Sequence, residues 1–134
     1  MGKYQTLESD IFSVFASAEW VAESIKTYPS NFLAVSPGNE FIRISILPSG
    51  GGVNLNSVSG VLIAELFIEG GKGTKRFNIL ADKLDEYLSG KTLSSGPAST
   101  QFLSSSLKVR GKDKDNPALF HASYSIPFNY FGVM

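Results

Sequence analysis

Between Phe120 and Tyr130 an apolar side chain stands at every second position: Phe120, Ala122, Tyr124, Ile126, Phe128 and Tyr130. A period of two puts all of them on one face of a strand, whereas a helix would scatter them around its circumference. A strand from Ala118 to Phe131 therefore has a long apolar face to bury, and the rest of the chain must supply both its neighbours and its cover. Two other stretches alternate in the same way. From Glu40 to Leu47, Ile42, Ile44 and Ile46 share one face, and Phe41, Arg43, Ser45 and Leu47 the other. From Val58 to Glu69, Gly60, Leu62, Ala64, Leu66 and Ile68 oppose Val61, Ile63 and Phe67, the second face being interrupted by Glu65. A strand apolar on both sides is a central one, or one whose second face another subunit covers. A further strand is expected near Thr100–Arg110, where Leu103, Leu107 and Val109 are set against Ser104, Ser106 and Lys108.

Two segments carry the helical period instead. From Thr6 to Lys26, the residues Leu7, Ile11, Val14, Phe15, Ala18, Val21, Ala22 and Ile25 recur at the spacing of one buried helical stripe, and Tyr28-Pro29 ends the pattern because a proline disfavours helical geometry at the residue before it. Thr74 opens a second helix with the stripe Phe77, Leu80, Ala81, Leu84 and Leu88, stopped at Ser89-Gly90. The Gly/Ser-rich run Pro48–Asn56 reads as a mobile loop closing a long hairpin, Leu93–Ser99 as a connector, and Gly111–Pro117 as a charged turn. The order helix, strand, strand, helix, strand, strand predicts a single α+β domain over residues 1–134. In it, two helices pack on one face of a mainly antiparallel sheet of four strands or slightly more.

Charge narrows the function. With 12 basic and 12 acidic residues the net charge is zero, and charged residues make up 18% of the chain, against roughly 25% in ordinary soluble domains. Nucleic-acid binders carry a basic excess, disordered chains a high net charge, and membrane helices a run of about 18 apolar residues, none of which is present. A neutral, sparsely charged surface has little electrostatic protection against association and suits a part that other subunits cover. The zero also conceals an asymmetry: residues 1–70 carry three basic and seven acidic residues, and residues 71–134 nine and five. Unlike halves of this kind favour contacts between different surfaces of identical subunits.

The candidate chemistry is thin. Gly70-Gly71-Lys72-Gly73-Thr74 lies between a strand and a helix, but the Ser or Thr that a phosphate loop needs directly after its Gly-Lys is replaced by Gly73. His121 is the only histidine and there is no cysteine, so a zinc site has neither a second imidazole nor a thiolate. Asp82, Asp85 and Glu86 read as the solvated side of the second helix. No acid/base pair or activated nucleophile emerges, so neither catalysis nor a metal or cofactor is expected.

The chain resembles the tail terminator proteins of lambda-type, long-tailed bacteriophages. The resemblance is carried by Tyr28-Pro29-Ser30-Asn31-Phe32, by Glu40–Pro48 as a strand closed by proline, by a strand from Gly60 to Gly70-Gly71-Lys72-Gly73, and by Phe77–Leu84 on a helix. Phe41 stands where a Trp is often seen, and Glu69 where a Pro commonly precedes the glycines. Such a resemblance implies a homo-hexameric ring that caps the head-proximal end of the tail tube in the virion, stops tube polymerisation and meets head-completion or neck proteins. The partners it implies are further copies of the chain, the major tail tube protein and a neck protein. DNA would pass through the ring without sequence-specific binding, and no membrane is involved. The protein would be made in the host cytoplasm.

On this basis Glu65, Glu69, Lys72, Lys75 and Arg76 are expected at the contact between subunits. Ser49, Gly50, Gly51, Asn54, Lys112, Asp113 and Lys114 are expected to meet the tube or neck. The alternatives are another neck or head-closure protein and, from a different class, a small ligand-binding α+β domain or a small enzyme.

Overall fold

The computed structural model describes residues 3–29, 40–51, 56–70, 74–95, 98–112 and 119–132. Its elements in chain order are α1 (Lys3–Phe15), α2 (Ala18–Ala22), β1 (Thr27–Pro29), β2 (Phe41–Gly51), β3 (Val58–Glu69), α3 (Lys75–Tyr87), β4 (Thr92–Ser95), β5 (Ala98–Phe102), β6 (Ser106–Lys112) and β7 (Leu119–Phe131). The strands form one seven-stranded sheet in the order β1-β2-β3-β7-β5-β4, with β6 also paired to β7. The sheet is mixed, because β1 runs parallel to β2, and it curls into a half-barrel.

This corrects the expected architecture of two helices on a four-stranded antiparallel sheet. Three differences account for the extra strands. Tyr28-Pro29, read as a helix stop, belongs to β1, which pairs in register with Ile42–Ile44. Part of the stretch read as the connector Leu93–Ser99 forms β4, which pairs with β5. The single strand expected over Thr100–Arg110 is divided into β5 and β6, which lie end to end along one edge of β7.

Pro127 accounts for that division. Leu103 N–H donates to the Pro127 carbonyl at 3.0 Å, so the backbone groups of Pro127 point toward β5 and β6. A proline has no N–H to return, and the ladder fails at that position. β3, on the opposite edge, pairs without interruption from Val58↔Tyr130 to Glu69↔Leu119.

The first helical pattern is also divided. Ser17 caps α2, its Oγ accepting from Trp20 N–H at 3.3 Å and donating to the Val14 carbonyl at 2.7 Å. The break turns Trp20 inward, edge-on to both Phe15 and Tyr87 with ring centroids 5.2 Å away in each case. Its indole N–H donates to Thr27 Oγ1 at 3.0 Å, so the one polar atom of the ring is satisfied inside the core.

The helices lie on one face of the sheet. Leu7, Ile11, Val14 and Phe15 of α1 and Phe77, Leu80, Ala81 and Leu84 of α3 join Ile42, Ile44, Leu62, Leu66, Ala122, Tyr124, Ile126 and Phe128 in one buried cluster. These are the even-numbered residues of β2, β3 and β7, as the alternation required. Asp85, expected on a solvated helix face, faces the sheet: Tyr124 Oη and Ser105 Oγ both donate to its Oδ1 at 2.6 Å. Among the described cross-element side-chain bonds, this one ties α3 to the middle of β7.

Gly60 faces Pro48 across the β2/β3 ladder, and a Cβ there would strike the Leu47 carbonyl and come within 2.9 Å of Pro48 Cα. Gly60→Ala is therefore expected to destabilise the fold by about 1–3 kcal/mol in urea unfolding, as overpacking against backbone does.

Burial and the bond to Asp85 hold the Tyr124 phenol well above the usual tyrosine range. Because the folded-state value is the raised one, its contribution to stability is full below the unfolded tyrosine value of about 10 and is lost as pH rises beyond it. Tyr124→Phe should cost about 1.5–3 kcal/mol at neutral pH, the range for a hydrogen bond to a charged group, and should flatten the loss of stability above pH ~10. Denaturant midpoints measured across pH 7–11 check both.

Candidate functional site

The face of the sheet away from the helices carries the odd-numbered residues of β2, β3 and β7, and register sorts them into rows across the strands. The first row is Phe41, Phe67 and His121. Phe41 stacks on Phe67 with centroids 4.6 Å apart and planes at 18°, and Phe67 stacks on His121 at 4.8 Å and 5°. Gly111 stands beside His121 on β6, with φ +97, so this row ends on a residue without a side chain. Phe41, Phe67 and Leu119 are all buried, with Tyr28 packed against them, which makes a second small core on the outer face.

The next row is Arg43, Glu65 and Ser123. The Arg43 guanidinium lies 5.4 Å from the centroids of both Phe41 and Phe67. Cation–π contacts contribute about 0.5–1 kcal/mol each at exposed sites, and the opposite charge of Glu65 sits directly across the ladder. His121 Nε2 is 3.9 Å from Glu65 Oε1 and has no hydrogen-bond partner among the described residues, so the imidazole is held by stacking. Beyond lie a polar row, Ser45, Ile63 and Ser125, and an apolar one, Leu47, Val61 and Pro127. Ser106 and Ser125 hydroxyls meet at 2.9 Å, and Arg110 Nε donates to Ser123 Oγ at 3.3 Å.

Besides the outer edges of β1 and β4, two stretches of sheet edge have no strand partner among the described residues. Ile42 N–H donates to the Lys26 carbonyl at 2.8 Å, so the even-numbered residues of β2 direct their backbone groups away from β3. Among the described residues no strand pairs with β2 past Ile44, which leaves Ile46 and Pro48 on an open edge. Alongside runs a groove of about 280 Å³ between α1 and that edge, lined by Tyr4, Leu7, Glu8, Phe12, Ile46 and Pro48 among others. At the other end β6 pairs with β7 alone among the described residues. Ser106 and Lys108 face β7, so the backbone groups of Leu107 and Val109 point outward.

The residues singled out from the sequence fall as follows. Arg76 forms a two-point ion pair with Glu40 within the chain, Nε to Oε1 at 2.6 Å and Nη2 to Oε2 at 2.7 Å. Lys75 is exposed at the start of α3, Glu65 lies in the outer face, and Glu69 ends β3. Ser49, Gly50 and Gly51 belong to β2 rather than to the mobile loop expected from Pro48 onward; a bulge at Pro48/Gly50 lets the strand continue to pair with β3. Lys112 ends β6 and is exposed. Lys72, Asn54, Asp113 and Lys114 lie outside the described residues.

The aromatic row and its arginine were missed. Phe41 and Arg43 share a face in the sequence pattern, and so does Phe67 with its neighbours, but the register that joins them to His121 is set by long-range pairing. Among the described residues no group of three His, Cys, Asp or Glu side chains is placed to hold a metal ion, and no helix is long and apolar enough to cross a membrane.

Comparison with known family models and with curated proteins finds no match. A solved structure of a protein whose designation states no function aligns with a TM-score of 0.66 and 13% sequence identity, over 96% of this chain and 92% of that one. At that identity the likeness is one of fold alone, so any function must be argued from the face, the edges and the groove described above.

Proposed function

We propose that this chain is the ring-forming subunit of a phage tail terminator, a structural protein that caps the head-proximal end of the tail tube, halts its polymerisation and offers a surface to the neck. The observation that carries the reading is that, among the described residues, the β2 edge past Ile44 and the outer edge of β6 have no strand partner. A subunit with two unlike open edges can join head to tail, and such heterologous contacts close into a ring when the rotation per subunit permits. The sequence resemblance over residues 28–32, 40–48, 60–73 and 77–84 supplies the identity of the ring, and the low charge density agrees with a surface made to be covered. In this reading the chain is not an enzyme and takes no cofactor. The far end of β2 at Ser49–Gly51 and the end of β6 at Lys112 are where tube or neck would be met.

Electron microscopy of the purified protein mixed with tail tubes tests this. Six-fold rings at one end of each tube, with tube length fixed on their addition, are expected. A monomer that ignores tubes at all concentrations would overturn the reading, and rings that bind heads but not tubes would favour the neck-protein alternative. Of the charged residues expected between subunits, Arg76 already serves the subunit's own fold, which leaves Lys75 as the cleaner probe. Lys75→Glu is expected to weaken association in sedimentation at low salt and to reduce its salt dependence; unchanged association would remove Lys75 from the contact.

A further inference from the structure

Six large apolar side chains stand exposed among the described residues, and four of them flank the two open edges. Tyr4 (58% exposed) and Leu47 (49%) border the β2 edge; Leu103 (42%) and Val109 (48%) border the β6 edge. Exposed apolar residues scattered singly need no explanation, but their gathering at strand edges marks surfaces that meet another chain.

We infer that the β6 edge of one copy pairs antiparallel with the β2 edge of a second copy, seating Val109 in the groove between α1 and β2. This rests on the ring reading above and specifies which surfaces make the ring.

Strand direction, register and side-chain chemistry each point to that occupant. Along the sheet β2, β3, β7 and β6 are successively antiparallel, so β6 runs opposite to β2, and a neighbour that continues the sheet in the same orientation presents β6 antiparallel to β2. Ile46 of one copy and Val109 of the other both direct N–H and C=O outward, and facing each other they exchange two hydrogen bonds. Pro48 then lies opposite Leu107, whose N–H its carbonyl accepts. The register ends where it must: past Val109 the β6 bulge bends the chain at Gly111, at the point where β1 already occupies β2.

In this register Ile46 and Val109 lie on the helix side, where the groove offers Tyr4, Leu7, Phe12 and Ile44. Leu47 and Lys108 lie opposite each other on the outer side. The rim of the groove carries the exposed Glu8, and β6 carries the exposed Lys108, Arg110 and Lys112. The two alternatives that use identical edges are disfavoured by the same residues. Pairing β6 with β6 would set its three cations against their own copies, and pairing β2 with β2 would align edges that each lack a donor at Pro48.

The chain contains no cysteine, so introduced thiols report this contact alone. L47C and K108C alter exposed positions, and mild oxidation of the two single variants mixed together should give a disulfide-linked dimer containing one of each. The double variant should give a covalent ladder ending at the ring. Dimers from L47C alone or K108C alone would show like edges pairing and overturn the inference. Rings that form without the mixed cross-link would overturn it too while leaving the terminator reading intact, whereas no cross-link and no rings on tubes would overturn both. As an independent check, Val109→Asp should abolish ring formation with an unchanged circular dichroism spectrum and unfolding midpoint. Normal rings from that variant would place the contact elsewhere.

Discussion

β7 has thirteen residues and two edges, and what one proline does to one of those edges organises the rest of the sheet. On the β3 side every residue from Leu119 to Tyr130 has a partner. On the other side Pro127 cannot donate, the ladder stops, and the chain that would have been one long neighbour becomes β5 and β6 with Leu103–Ser105 between them. Because β5 continues into pairing with β4, whereas β6 pairs with β7 alone among the described residues, the two halves of this side of the sheet end on different strands. The break also releases Ser105 to reach Asp85, which in turn anchors Tyr124 on the same strand. A single missing N–H is therefore connected to the docking of α3 and to the exposure of β6.

The opposite face shows how a half-barrel without helices on its outside keeps aromatic rings out of water. Phe41, Phe67 and His121 come from β2, β3 and β7 and stack nearly parallel across the strands, each burying the face of the next. Offset-stacked pairs contribute about 0.5–1.5 kcal/mol beyond the area they bury, and Arg43 covers two of the rings while Glu65 balances its charge. The result is a half-apolar strip at one end of the outer face and a serine-rich strip beside it, which gives this face distinct regions.

Much of the fold was legible where one face of an element is apolar. Alternation placed β2, β3 and β7 and sorted their residues correctly between core and outside, because a slip of one residue would invert the whole face. The stripes of α1 and α3 were equally clear. What the sequence hid were features decided by a single polar atom or by pairing at long range. Ser17 ends α1 through two short-range hydrogen bonds within an unbroken apolar period. β1 and β4 are three and four residues long, too short for a period to declare itself, and each exists because a neighbouring strand offers an edge. Asp85 looks like any surface carboxylate until the partner strand brings Tyr124 beneath it. The candidate surfaces were legible only in part: a charge asymmetry between the two halves is visible in the sequence, but which strand edges remain open depends on the finished sheet.

Pro48 deserves its place on the β2 edge for a reason of information as much as of stability. Between β1 and the bulge, that edge has one position, Ile46, that offers both a donor and an acceptor, followed by one that offers an acceptor only. A strand shifted along it by one pair would meet β1 on one side or waste its acceptor on the other. The edge would thus work as an index mark in the pairing proposed above: an incoming strand would meet it at a defined offset, and an assembly built through it would inherit a fixed rise from one member to the next.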